Sequence, residues 1–137
     1  MDKLSPAVRS RVMAAVRGKN TRPEMIVRSL LHRLGLRFRL HDKKLPGTPD
    51  IVLAKHKTVV FVHGCFWHCH SCSRGAVPKS RAEFWLPKLA ANKVRDRVHR
   101  RALVSLGWRV VTVWECETKQ PHKLTKRLAK LFAAPAN

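Results

Sequence analysis

The run Asp50-Ile51-Val52-Leu53-Ala54-Lys55-His56-Lys57-Thr58-Val59-Val60-Phe61-Val62 decides the fold. Two short apolar segments, Asp50 to Ala54 and Thr58 to Val62, flank the polar Lys55-His56-Lys57, so each reads as a buried strand and the pair as a central hairpin. The second strand leads straight into Val62-His63-Gly64-Cys65-Phe66-Trp67-His68-Cys69-His70-Ser71-Cys72, with three cysteines, three histidines and two adjacent aromatics. Thiolate and imidazole are the ligands zinc prefers, and an exposed Phe-Trp pair suits a stack of bases.

Working outward toward the N-terminus, Leu45-Pro46-Gly47-Thr48-Pro49 reads as a loop. Before it, Leu36, Phe38 and Leu40 alternate with Arg37 and Arg39, a half-buried strand pattern with arginine facing out. Thr21-Arg22-Pro23-Glu24 is a capping box opening a helix with Ile26, Val27, Leu30, Leu31 and Leu34 inward and Gly35 as its stop. Ser5-Pro6 starts an earlier helix, about residues 5–17, with Val8, Val12, Ala15 and Val16 on one face and Arg9, Arg11 and Arg17 on the other.

Toward the C-terminus, Ser80-Arg81-Ala82-Glu83 offers a second capping box, and Pro87 marks a restart of the helix that continues through Ala90, Val94, Val98, Leu103 and Leu106 to Gly107. Trp108 to Trp114 reads as a strand with Cys116 just past its end, Lys123 to Phe132 as a terminal helix, and residues 133–137 as a frayed tail. Trp108 and Trp114 are assigned to the core. Strands flanked by helices in 137 residues predict one α/β domain spanning 1–137, a small mixed sheet with helices on both faces.

Lys plus Arg is 29 against 8 for Asp plus Glu, a formal net charge of +21. A field this strong repels itself in the folded state and points to a polyanionic partner that releases counterions on binding, with nucleic acid foremost. The apolar runs are too short to span a membrane, and Met1-Asp2-Lys3-Leu4-Ser5-Pro6 lacks the apolar core of a secretory signal. The expected setting is a reducing cytoplasm, where cysteines favour metal over disulfide.

Cys65, His70 and Cys72 lie close together, and Cys116 is placed to complete a Cys3His zinc set; Cys69 competes for a place in it. Such a closed site is structural and supplies no attacking water. The plainer alternative is a set of reduced buried thiols with chance histidines. Chemistry needs a second centre, and the scarce acidic residues offer one. Asp50 opens a strand, where nucleases often hold Mg2+, although a turn-and-cap role also accounts for it. Glu24 has a sufficient task as the capping-box carboxylate, His63 as a strand-end histidine and His68 as a spare zinc ligand.

The ordered set Glu24, Leu45-Pro46-Gly47-Thr48-Pro49-Asp50, Phe61-Val62-His63-Gly64-Cys65-Phe66-Trp67-His68 and Glu83-Phe84-Trp85-Leu86 resembles the very-short-patch repair (Vsr) endonucleases. Leu106-Gly107-Trp108-Arg109-Val110 through Val113-Trp114-Glu115-Cys116 is similar to that family as well, so the resemblance runs from Arg9 to about Phe132.

The resemblance implies a restriction-endonuclease-like fold that nicks one DNA strand beside a thymine mispaired with guanine, the product of 5-methylcytosine deamination. It implies Asp50 and the main-chain carbonyl of Val62 as Mg2+ ligands, with two ions in the centre. His68 is then the acceptor of the attacking water's proton, and Glu24 with His63 a supporting pair. Cys65, His70, Cys72 and Cys116 match the ligands of one structural zinc. Phe66, Trp67 and Trp85 match aromatics that wedge into the duplex, and Met13, Lys88 and Asn92 fall where the mispaired bases are contacted. The implied partners are T·G-mismatched duplex DNA, mismatch-repair proteins and, functionally, a cytosine-5 DNA methyltransferase, in the bacterial cytoplasm at the nucleoid; a monomer is expected, because a single-strand nick requires one active site.

Elementary chemistry agrees with these roles. A wobble pair is poorly stacked and therefore more easily opened by an aromatic wedge. Histidine titrates near neutrality and suits a general base, and the Thr58 strand has no Glu-x-Lys to do that work. Val62 stands where well-known relatives carry Thr, and Cys69 where they carry His. The competing expectations are a non-catalytic zinc-containing DNA-binding module and a restriction-type enzyme that cuts both strands.

Overall fold

A computed structural model describes residues 20–65 and 81–133; the helix expected over about 5–17 lies outside them. Among the described residues four strands form one sheet in the order β1 (Arg39–Leu40), β2 (Ile51–Leu53), β3 (Thr58–His63) and β4 (Arg109–Trp114). β1, β2 and β3 are successively antiparallel, whereas β4 runs parallel to β3 from Thr58↔Arg109 to His63↔Trp114. A parallel neighbour obliges the chain to return along the sheet, and helix α2 (Ala82–Ser105) lies in that crossover. Helices α1 (Arg22–Arg33) and α3 (Pro121–Leu131) precede β1 and follow β4. This is the mixed α/β architecture read from the hairpin. Among the described residues no helix is long and apolar enough to cross a membrane.

Side chains alternate across a strand, and that alternation sorts the core into two clusters. Ile51, Leu53, Val60, Val111 and Val113 pack with Val27, Leu30 and Leu31 of α1 and with Leu124 and Leu128 of α3. Val52 and Val59, bordered by Phe61, Trp108 and Val110, meet Leu103 of α2. The helices therefore cover both faces. Among the described residues Leu103 is the one buried helical residue of the smaller cluster. Leu103→Ala is expected to destabilise by about 2–3 kcal/mol, the low end for leucine truncation because half-buried neighbours can close in. Urea denaturation checks this, and a loss below about 1 kcal/mol would mean that α2 is held mainly by other contacts.

Two glycines end helices as the sequence predicted. After α1, Gly35 takes φ +78, its N–H reaches the His32 carbonyl at 2.9 Å, and the Leu36 N–H reaches Leu31 at 3.1 Å. After α2, Gly107 at φ +90 repeats the motif, with Gly107 to Val104 and Trp108 to Leu103 both at 3.0 Å. These left-handed caps return the chain sharply toward the sheet. The hairpin turn is a 3-10 turn at Ala54–His56 closed by left-handed Lys57. Its carbonyl also accepts the Arg109 N–H at 2.8 Å, fixing the start of β4.

Several expectations are corrected. β1 holds two residues rather than the run from Leu36, because the Leu36 N–H is spent on the α1 cap and His41, at φ 48, ends the extended chain. Leu36 and Phe38 still pack on the larger cluster, but Leu40 is 40% exposed. α2 is capped at Arg81, in the left-handed region and without a side-chain cap, rather than at Ser80, which lies outside the described residues. Pro87 sits inside a continuous helix instead of restarting it. The Glu83 carbonyl left without its helical donor belongs to an exposed residue, where water can satisfy it. α3 begins two residues early, at Pro121, whose fixed φ suits a first turn. Trp108 and Trp114 are half-buried rather than fully interior, and Lys57 Nζ lies 4.3 Å from the centre of the Trp108 ring. At the far side of the sheet Arg127 pairs with Glu117 at 2.6 Å and donates to the Thr112 carbonyl of β4 at 3.0 Å.

Candidate active site

β2 begins where β3 ends, so the antiparallel pair brings Asp50 beside the last residues of β3. Asp50 Oδ2 accepts the Val62 N–H at 2.7 Å, which joins the two positions that the sequence placed at one centre, through the amide of residue 62. Glu24 comes from the first turn of α1 and is 1% exposed. Thr21 caps that turn by accepting the Glu24 N–H at 3.3 Å. The reciprocal half of the box is shifted by one residue, since the Glu24 carboxylate takes the Asn20 N–H at 3.1 Å. The same carboxylate binds Arg28, which also donates to Asn20 Oδ1 at 2.6 Å. Glu24 is thus held by more than a cap needs.

The third member of the cluster is His41, which the sequence reading missed. Its ring Nε2 lies 2.9 and 3.1 Å from the two Glu24 oxygens. One ligand atom from each of Glu24, His41 and Asp50 falls within 4.8 Å of the others, so together they can hold a metal ion. The signal was present in the register: Leu40 pairs with Ile51, which sets His41 opposite Asp50. The strand ends at Leu40 as the alternation predicted, so His41 falls just past it and its place opposite Asp50 shows only in the strand register.

Burial raises the Asp50 carboxyl from 3.8 to about 7; the Val62 amide and His41 pull it down, while the negative Glu24 pushes it further up. Between 3.8 and about 7 the native state therefore keeps a proton that the unfolded chain releases. That contribution is complete at low pH and is lost as pH rises through the native value. Metal-free protein should lose stability across this window relative to Asp50→Asn, which carries no titrating group. Superimposable profiles in denaturant melts at stepped pH would refute the assignment.

His63 sits at the end of β3 on the face opposite Val62, with its ring 5.5 Å from Phe61 and 5.4 Å from Trp114. The structure therefore brings Glu24 to His41 and Asp50, and packs the His63 ring among aromatics. Cys65 is buried two residues past His63, and its Sγ accepts the Cys116 N–H at 3.4 Å. Because His63 pairs with Trp114, both cysteines stand at the same step beyond neighbouring parallel strands. Met13, Phe66, Trp67, His68, Cys69, His70 and Cys72 lie outside the described residues.

On α2, Trp85 is half-buried and meets Phe84 edge to face at 5.1 Å. Phe84 is the more exposed ring, at 39%, with Arg81 and Lys88 4.6 and 4.4 Å from its centre. Asn92 Oδ1 accepts from Arg95 at 3.0 Å. Lys88, Lys93, Arg95, Arg97, Arg100 and Arg101 are all exposed, and the last three line a groove with Val104 and Ser105. A helix with this many exposed cations can face a phosphate backbone.

A buried and a half-buried carboxylate with an imidazole at one end of a mixed sheet, in a chain of net charge +21, define a nuclease-type α/β protein. The model of the family described as DNA mismatch endonuclease Vsr matches residues 1–74. The type II nicking enzyme V.XorIIP of Xanthomonas oryzae pv. oryzae is 55% identical over 131 residues, covering 96% of each chain. V.NmeAIP of Neisseria meningitidis is 46% identical over 95% of this chain and 93% of its own. The DNA mismatch endonuclease Vsr of Escherichia coli K12 is 47% identical over 87% of this chain and 76% of its own. The chain belongs to the Vsr family of DNA mismatch endonucleases.

Proposed function

We propose that this protein is a DNA mismatch endonuclease that hydrolyses one strand beside the T of a T·G mispair left by 5-methylcytosine deamination, initiating very-short-patch repair. The observation that carries the reading is the meeting of buried Glu24 with Asp50 at the end of β3, in a protein built to sit on polyanions. Residues 1–137 act as one restriction-endonuclease-like domain and as a monomer, since a single nick needs a single centre.

Asp50 and the main-chain carbonyl of Val62 hold the catalytic Mg2+, of which the centre takes two. The donor set fits: neighbouring carboxylates, one of them buried, favour a cation, and hard oxygen ligands suit magnesium. When bound, the metal polarises the scissile phosphate and activates water. Glu24, fixed by Arg28 and the Asn20 amide, orients the hydration of the site, and His63, its ring against Phe61 and Trp114 at the end of β3, supports it from there. His68 takes the proton of the attacking water. Cys65, His70, Cys72 and Cys116 hold one structural zinc, a role supported by the approach of Cys65 to Cys116.

Phe66, Trp67 and Trp85 open the stack, and Met13, Lys88 and Asn92 contact the mispaired bases. Base–aromatic stacking contributes about 1–3 kcal/mol, so Phe66→Ala should reduce the preference for T·G over matched duplex about tenfold or more. The ratio of kcat/KM values measures it, and equal loss on both substrates would eliminate the wedge. The names of two relatives as type II nicking enzymes suit a functional link to a cytosine-5 methyltransferase, with mismatch-repair proteins as further partners and the bacterial cytoplasm and its nucleoid as the place of work.

The test is a nicking assay on duplexes with a different dye on each strand, comparing T·G with matched C·G in several contexts, with and without Mg2+. A Mg2+-dependent cut confined to the thymine strand is expected. Cleavage of both strands in matched DNA would place the protein with restriction enzymes, and binding without cleavage in every context would make it a non-catalytic module.

A further inference from the structure

We propose that His41 is itself a ligand of the catalytic metal, its Nε2 standing beside carboxylate oxygens of Glu24 and Asp50 and shifting the centre toward Mn2+ and Co2+ relative to Mg2+. This rests on the reading of Asp50 as the metal carboxylate and adds a nitrogen to a set that reading leaves all-oxygen.

Placement comes from the backbone. The His41 N–H donates to the Asp50 carbonyl at 3.1 Å, extending the β1–β2 pairing by one step, so the two residues are fixed side by side whatever the ring does. His41 is also a non-glycine residue at φ 48. Holding such a residue in the left-handed region costs of order 1 kcal/mol, and histidine there is tolerated where the side chain has local work.

The ring geometry matches a shared cation. Ligands about 2.1 Å from an octahedral ion stand about 3 Å apart when adjacent. The observed separations of His41 Nε2 from the two Glu24 oxygens are 2.9 and 3.1 Å. A cation can therefore replace the hydrogen bond with little movement. Arg28 and the Asn20 amide both act on Glu24 Oε2, which leaves Oε1 to the imidazole side. The His41 side chain is only 12% exposed, so few waters compete for the position.

Chemistry sets the consequence. Mg2+ prefers oxygen and keeps its waters, whereas imidazole binds Mn2+ and Co2+ more readily. The test titrates Mn2+ into the purified full chain, with its zinc intact and without DNA, following free ion by electron paramagnetic resonance and bound ion by its coupling to 14N. Wild type should bind Mn2+ at least tenfold more tightly than Mg2+ in competition and show 14N coupling. His41→Gln and His41→Ala should both lose the coupling and bind Mn2+ about tenfold more weakly, with Mg2+ affinity changed less. Zinc content and melting temperature confirm folding; should neither variant fold, the wild-type coupling and competition decide, and all-oxygen coordination would overturn the proposal. Coupling that persists in both variants at unchanged affinity would also overturn it, leaving His41 as a hydrogen-bond partner of Glu24. Asp50→Asn separates the two readings: if it abolishes Mn2+ binding the metal centre stands with or without His41, and if it leaves binding intact the centre itself is misplaced and the proposal falls with it.

Discussion

Asp50→Ala is expected to lower single-turnover nicking of a T·G duplex by about a thousandfold or more, the equivalent of roughly 4 kcal/mol of transition-state stabilisation. Among the described residues the other carboxylate of the cluster is Glu24, which is already engaged. Glu24 is committed to Arg28, Asn20 and His41, and reaches the site from a helix rather than from the sheet. DNA affinity should hold or rise, because the substitution removes a negative charge beside the phosphate path. The variant should also fold, since at neutral pH it relieves two crowded carboxyl groups instead of breaking a favourable pair. Saturating-enzyme kinetics with a parallel binding measurement separates chemistry from affinity. Nicking within a few-fold of wild type, with binding retained, would remove Asp50 from the reaction.

The second large effect is on stability. Cys116→Ser, or removal of zinc by a strong chelator, should unfold the chain or lower its melting temperature drastically. Structural zinc contributes an apparent 10 kcal/mol or more, against a total of about 5–15 kcal/mol for a domain. The expectation is local in origin. Cys65 and Cys116 stand just past the ends of β3 and β4, so losing their link frees both strands at the end where Asp50 is anchored. Circular dichroism melts with zinc analysis check it; an unchanged melting temperature after full zinc loss would make the cysteines incidental.

The hairpin, both glycine caps and the position of Asp50 were legible in the sequence because each depends on local pattern: apolar run, polar turn, positive φ. Residues 50 and 62 meet because a hairpin of known turn fixes which residues face each other. What escaped the reading depends on register and exact boundaries. β1 ends at Leu40 as expected, but only its register with β2 sets the next residue, His41, opposite Asp50, and the Ser80 cap was inferred from a capping-box motif where the helix starts at Ala82 behind a left-handed arginine. Glu24 was ambiguous for another reason. A capping carboxylate and a metal-site carboxylate look alike in sequence, and its nearness to His41 and Asp50 is what makes Glu24 a candidate for the second role.

The contact of Arg127 with Thr112 bears on how many molecules can crowd together. Among the described residues β4 is a border strand, and a border strand offers unpaired carbonyls to any extended segment that arrives. Arg127, steadied by Glu117, already occupies the Thr112 carbonyl, so an incoming strand must displace a charged, anchored donor before pairing there. A protein concentrated along DNA by its charge meets its own copies often. The arginine on α3 thus helps keep that crowding from turning into edge-to-edge aggregation.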